Sequence, residues 1–162
     1  MGTVHSLARP VEILTLALCG EAFALEAVIV REILDLIPIT IVPNAPRYAT
    51  GLINVRGKVV PVVDLRVRFG MTQEPTTIDT RIVVIENIQD GEATMIGLLA
   101  DRVYEVTEID MQAIEATPKV GMRWPPEFIR GISRRNGGFL IILDIDRVFA
   151  SEPAREDRLH AS

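Results

Sequence analysis

Few residues in this chain have the type and spacing that chemistry requires. Asp64 and Asp144 are the obvious pair for general acid–base work. Each, however, opens a short segment of helical character, 64–69 and 144–149, where a carboxylate accepts the backbone N–H bonds of the first turn. They read as caps. Cys19 is the single cysteine, set in an apolar run, and reads as core filler; it cannot form an internal disulfide, which fits a reducing compartment. His5 and His160 lie near the ends, far from any Cys or acidic partner at ligand spacing, so neither a metal site nor a His-based triad can be built on them. No G-x-S-x-G elbow, P-loop or G-x-G-x-x-G turn occurs. No catalytic residue, metal ligand or cofactor site is assigned.

What remains is a hairpin tip. Asn54-Val55-Arg56-Gly57-Lys58 joins two apolar runs and places two cations where Asn-Gly would suit the backbone better. A type I′ turn would hold Arg56 in the left-handed region at about 1–2 kcal/mol, whereas a type II turn needs positive φ only at Gly57. Both leave Arg56 and Lys58 projecting, as a solvated hairpin end or as a contact surface for another protein. A second candidate is Val30-Arg31-Glu32-Ile33, where alternation sets Val30 and Glu32 on one face and Arg31 and Ile33 on the other; an apolar residue beside a charge on an outward face suits an interface rim.

The elements that must position these residues are strands. Nearly half of the 162 residues are apolar but only 5% are aromatic, so Val, Ile, Leu and Ala must build the core. Short Val- and Ile-rich runs fall at 11–18, 29–36, 51–55, 58–63, 80–88, 94–100, 102–109, 129–134 and 138–143, separated by Gly, Pro, Asn or Asp, the pattern of an all-β sandwich or barrel. Val59, Val60, Val62 and Val63 flank Pro61 in a run that reads as covered on both faces, and the segment 37–46, held extended by three prolines, is expected along the barrel surface. A net charge of -5 is the wrong sign for a chain whose affinity comes from neutralising phosphates, and Trp124 and the tyrosines are scattered, so nucleic acid is not the expected partner. No apolar run approaches the roughly 20 residues that span a bilayer.

Residues 46–69 align without a gap on 126–149 at an offset of 80: Pro46 on Pro126, Gly51 on Gly131, Gly57 on Gly137, Asp64 on Asp144, Phe69 on Phe149. Val30, Glu32 and Ile33 align on Val103, Glu105 and Val106 at an offset of 73. The chain is two versions of one β unit, roughly 10–75 and 76–150, flanked by flexible tails 1–9 and 151–162. Units of this size are marginal alone and should pack together, with a groove at their junction.

The runs Pro43-Asn44-Ala45-Pro46, Gly51-Leu52-Ile53-Asn54-Val55-Arg56-Gly57 and Val60-Pro61-Val62-Val63-Asp64-Leu65 resemble the CheW family of chemotaxis coupling proteins, and Gly97 to Val103 with Gly131 to Ile145 look like its second half. The resemblance, over about 10–150, implies a mainly all-β CheW-like domain of two SH3-like five-stranded β-barrel subdomains on a shared hydrophobic core, with short helices. It implies a non-enzymatic adaptor, cytoplasmic and recruited to membrane-associated arrays, that couples the cytoplasmic tip of chemoreceptors to the regulatory domain of the histidine kinase CheA. Carried over residue by residue, Asn54, Arg56, Gly57 and Val59 would face the receptor and Val30 and Glu32 the kinase. A coupling protein of a paralogous array controlling pili or development is the alternative within the resemblance; a small-barrel RNA binder is the one outside it.

Overall fold

A computed structural model describes residues 10–117, 125–135 and 137–150; His5, Trp124, Asn136, His160 and the expected tails lie outside the described residues. Ten strands account for most of the described chain: β1 (Pro10–Leu18), β2 (Glu21–Glu26), β3 (Val30–Asp35), β4 (Ala49–Val55), β5 (Lys58–Asp64), β6 (Arg81–Gln89), β7 (Glu92–Ala100), β8 (Arg102–Asp110), β9 (Ile129–Arg135) and β10 (Gly138–Leu143), with helices α1 (Leu65–Arg68) and α2 (Ile145–Ala150). The sequence reading misses β2. Its EAFALE run has no Val or Ile, and burial of Phe23, Ala24 and Leu25 overrides that weak propensity.

The strands form two five-stranded sheets, in the orders β3-β6-β7-β5-β4 and β8-β1-β2-β10-β9. Slot by slot, β3 matches β8, β6 matches β1, β7 matches β2, β5 matches β10 and β4 matches β9, so the sheets are two SH3-like β-barrels with one plan. Each borrows a hairpin. The β1–β2 hairpin of the first sequence repeat lies in the barrel of β8, β9 and β10, and the β6–β7 hairpin of the second lies with β3, β4 and β5. The sequence repeats at 10–75 and 76–150 therefore do not coincide with the folded lobes, a division corrected by the strand pairing.

Among the described residues, each barrel is closed by one bridge. Thr40, in the proline-held segment, exchanges both backbone hydrogen bonds with Leu52 at 2.8 Å, and Glu115 does the same with Ile132 at 2.8 and 2.9 Å. The segment is thus a stave closing the barrel rather than a cover on its surface. The matched glycines exist for these crossings: a Cβ at Gly51 would sit 2.2 Å from the Thr40 carbonyl oxygen, and one at Gly131 would sit 2.1 Å from Ile114 Cγ2.

Continuous apolar strands have two faces to fill. In β6, Ile82 and Val84 point into a barrel interior with Ile53, Val60, Val62 and Leu99, while Val83 and Ile85 point into a core common to both barrels. The second barrel encloses Ile13, Ala24, Leu140 and Ile142. The common core takes Leu14, Leu16, Phe23, Val63, Phe69, Phe128, Leu143 and Phe149 among others, with Phe69 6.0 Å from Phe128 and 5.9 Å from Phe23 between ring centroids. Arg68 stacks over Tyr48 and Phe128, themselves a matched pair in the repeat, at 5.6 and 4.4 Å. Among the described residues, a depression of about 40 Å³ lies between Glu26, Ile29, Arg130, Leu143 and Ile145.

Candidate protein-contact site

The two aspartates proposed as caps are caps. Asp64 accepts the Arg66 backbone N–H at 3.0 Å, and Asp144 accepts that of Arg147 at 3.3 Å. Asp64 does more, because it is buried with Arg66, whose Nε and Nη2 donate to its two oxygens at 3.0 and 2.9 Å. Arg66 Nη1 also donates to Asp101 Oδ1 at 2.8 Å and to the Glu74 carbonyl at 3.0 Å, and Gln73 Nε2 donates to Asp64 at 2.9 Å. Burial pushes the Asp64 carboxyl up, but the hydrogen bonds from Arg66 and Gln73 outweigh it and hold the group below its ordinary range. This is a structural knot tying α1, the 72–75 loop and the start of β8. Sequence reasoning had no route to it, since Asp101 lies 35 positions from Arg66.

Cys19 belongs to the same region rather than to the core. It occupies the β1–β2 turn at φ 51°, its N–H donates to Asp101 at 2.7 Å, and its Sγ lies 2.8 Å from the Thr72 carbonyl oxygen. Burial first, then the nearby Asp101 carboxylate, raises its pKa, the opposite of what a nucleophilic thiol needs.

At the β4–β5 tip the turn is type I′: Arg56 has φ 51° and Gly57 φ 84°. Asn54 Oδ1 accepts the Gly57 N–H at 2.8 Å and braces the turn from outside. The Arg56 side chain is 77% exposed, and beside it Val59 is 68% exposed, while Val60, Val62 and Val63 are buried. Hence the valine run is covered on both faces except at Val59. The Arg56 guanidinium donates to Glu32 Oε1, an ion pair joining edge strand β3 to the β4–β5 turn across the barrel seam.

The residues expected on two separate faces thus meet in one constellation, with an exception. Val30 is half-buried and packs on the common core, and the outward positions of β3 are Arg31 and Ile33. The common core decides which side of the alternation faces in, and a register shift between Val30 and Glu32 leaves the Glu32 carboxylate at the rim. Sequence reasoning also passed over the exposed apolar residues of the second barrel, Tyr104, Val106 and Phe139. Phe139 stands where Val59 stands in the first repeat, so the internal alignment was the signal that could have found it.

A CheW-like domain model matches residues 12–153. The chain is 31% identical over 142 residues to "Chemotaxis protein CheW" of Rhizobium meliloti, covering 87% of this chain and 88% of that protein. It is 28% identical over 155 residues to the protein of the same description from Klebsiella aerogenes, covering 94% and 91%. Among solved structures, the scaffolding protein TtCheW of Thermoanaerobacter tengcongensis superposes with a TM-score of 0.78 at 33% identity, over 87% of this chain and 88% of that one.

Proposed function

Because the chain belongs to the CheW-like domain family, a family of chemotaxis scaffold proteins, we propose that it is a non-enzymatic adaptor coupling the cytoplasmic tip of chemoreceptors to the regulatory domain of the histidine kinase CheA. The observation that carries this reading is the Arg56 turn. A cation is kept at a left-handed position, exposed beside Val59, at a cost of about 1–2 kcal/mol that Asn or Gly would relieve. A local rule broken at an exposed position, with no enzymatic constellation nearby, points to recognition.

In this reading Asn54, Arg56, Gly57 and Val59 form the receptor-facing surface, and Glu32 carries the kinase-facing one with Val30 beneath it. An amphipathic receptor helix lays its apolar stripe on Val59 while a receptor carboxylate takes up donors of Arg56 that Glu32 leaves open. The work is positional: signal passes only when a change in the receptor changes the geometry or affinity of the joint.

The test is co-purification of the full chain with a receptor cytoplasmic fragment and with the kinase regulatory domain, separately and together. Wild type should retain both. Arg56→Ala, at normal protein levels, should lose the receptor fragment first, and Glu32→Lys the kinase domain first. Retention of neither partner by wild type would overturn the reading. The co-purified receptors also separate a chemotaxis array from a paralogous one.

A further inference from the structure

The two barrels have one plan but different fillings. In the first, Leu34, Val55 and Met95 pack on the interior cluster that holds Val84. The strand register shows what stands in the same places in the second. Val84 pairs with Gly97, which pairs with Val62; Thr15 pairs with Ala24, which pairs with Ile142. Val62 and Ile142 are matched in the repeat, so Thr15 takes the place of Val84, and Ala22, two residues before Ala24, takes that of Met95. Thr107 faces Ile13 as Leu34 faces Ile82, and Val55 aligns on Arg135 at the offset of 80. The second interior therefore carries Thr, Ala, Thr and Arg where the first carries Val, Met, Leu and Val.

All of these second-barrel residues line a concavity of about 940 Å³, together with Leu140 and the exposed Tyr104 and Phe139. Its size is that of a small-molecule site. Its polar fittings are few. Thr15 Oγ1 is buried with no hydrogen-bond partner, a donor that costs free energy until an oxygen meets it. Arg135 Nη2 donates to Thr107 at 3.1 Å and so ties β9 to β8, and among the described residues the rest of that guanidinium makes no hydrogen bond or ion pair. Glu21 and Glu105 also border the concavity, but Glu21 already has an interaction partner and Glu105 is exposed to solvent, whereas Arg135 is half-buried. A charge screened by water contributes less than one partly removed from it, so the cation sets the preferred head group of a guest.

We propose that this hollow binds a small molecule with a short aliphatic chain and a carboxylate head. The chain lies against Ala22 and Leu140, in the space that Met95 and Leu34 fill in the first barrel, with Tyr104 and Phe139 at its rim. The head takes up the Arg135 donors that Thr107 leaves open. The template for the guest is inside the molecule, since the first barrel shows which chemistry completes this interior. The site is on the opposite barrel from the Arg56 surface and does not depend on which partner that surface takes.

The probes are hexanoate, hexanol and hexylamine, which share a chain and differ in head group, titrated at millimolar concentration and constant ionic strength into the isotope-labelled full chain. Site-selective amide shifts are expected at Thr15, Ala22 and Leu140. Hexanoate should bind about tenfold more tightly than hexanol, as one charge-assisted contact provides, and hexylamine should bind weakest. Arg135→Gln should bring hexanoate down to the level of hexanol. Ala22→Met restores the first-barrel side chain, and Ala22→Leu is a second filler; each should melt higher than wild type and lose all three probes. Absence of these shifts in wild type, hexanol or hexylamine binding as tightly as hexanoate, or an unchanged hexanoate preference in Arg135→Gln overturns the proposal. So does undiminished binding by a refilled chain, and so does a lower melting temperature of both refilled chains, which would mean that the space is not there. Concentration-dependent broadening of the same amides without probe would mean that a second copy covers the hollow, and also overturns it.

Discussion

Replacing Arg56 with asparagine should make the protein more stable and a worse adaptor. The turn at Arg56-Gly57 is type I′ with φ 51° at the arginine, and a residue with a Cβ pays about 1–2 kcal/mol there, of which asparagine recovers the larger part because its short amide bonds locally. Against this stands loss of the ion pair with Glu32, whose arginine end is 77% exposed; such pairs contribute roughly 0–1 kcal/mol. The uncertain pair cancels if Arg56→Ala is measured alongside, since alanine loses the pair too but keeps the backbone cost. The Asn variant should therefore exceed the Ala variant by about 1 kcal/mol, or about 2–4 °C in melting temperature for a chain of this size. Thermal and urea unfolding of wild type, Arg56→Asn and Arg56→Ala, with receptor-fragment binding on the same samples, reads both sides. Equal stability of the two variants would refute the claim that this backbone position is strained.

Three further substitutions test the frame. Gly51→Ala should destabilise more than Gly131→Ala, because the new methyl at residue 51 meets the backbone oxygen of Thr40 in the closing bridge at 2.2 Å, while at residue 131 the corresponding Glu115 oxygen is 2.9 Å away and the nearest atom, at 2.1 Å, belongs to the movable Ile114 side chain; overpacking of this kind costs about 1–3 kcal/mol, and denaturant midpoints rank the pair. Asp64→Asn should cost about 3 kcal/mol, the low end for breaking a buried pair, because Asp101 remains beside Arg66. Asp64 also carries a pH signature. Its folded pKa lies below the ordinary value, so its contribution is full above the unfolded pKa of about 4 and is lost as pH falls through the lower folded value. Wild-type stability should fall in that acid window, and Asp64→Asn should flatten the fall.

Much of this was legible in the sequence because it depends on local pattern. The β-branched runs, the Asp64 and Asp144 caps and the Arg56-Gly57 turn are set within a few residues of themselves. What escaped were contacts made across distance. Cys19 reads as core because its neighbours are apolar, yet Gly20 after it makes the pair a turn, as Asp90-Gly91 does in the second repeat with φ 53° and 78°. Arg56–Glu32 and Arg66–Asp101 are pairs whose members lie in different parts of the fold, 24 and 35 positions apart, and no spacing rule links them.

The hairpin exchange is the deepest of these, and it has a consequence for how the chain can be cut. The two repeats present similar surfaces, so periodicity alone cannot say whether β1–β2 joins the strands that follow it or those of the other copy. Connection length can. A single residue, Asp101, separates β7 from β8, and even the tightest common hairpin needs two residues to reverse the chain. The strand must therefore run on from one barrel into the other, where Asp101 donates its N–H to Ala17 of β1 at 3.0 Å. Residues 76–150 expressed alone would then own β8, β9 and β10 but lack the hairpin at the centre of that sheet, while their own β6–β7 would lack β3 and β5. Light scattering and hydrogen exchange on this fragment should find no folded monomer. A protected, monomeric 76–150 would show that a repeat can close on its own hairpin, and would overturn the exchange as a requirement of the fold.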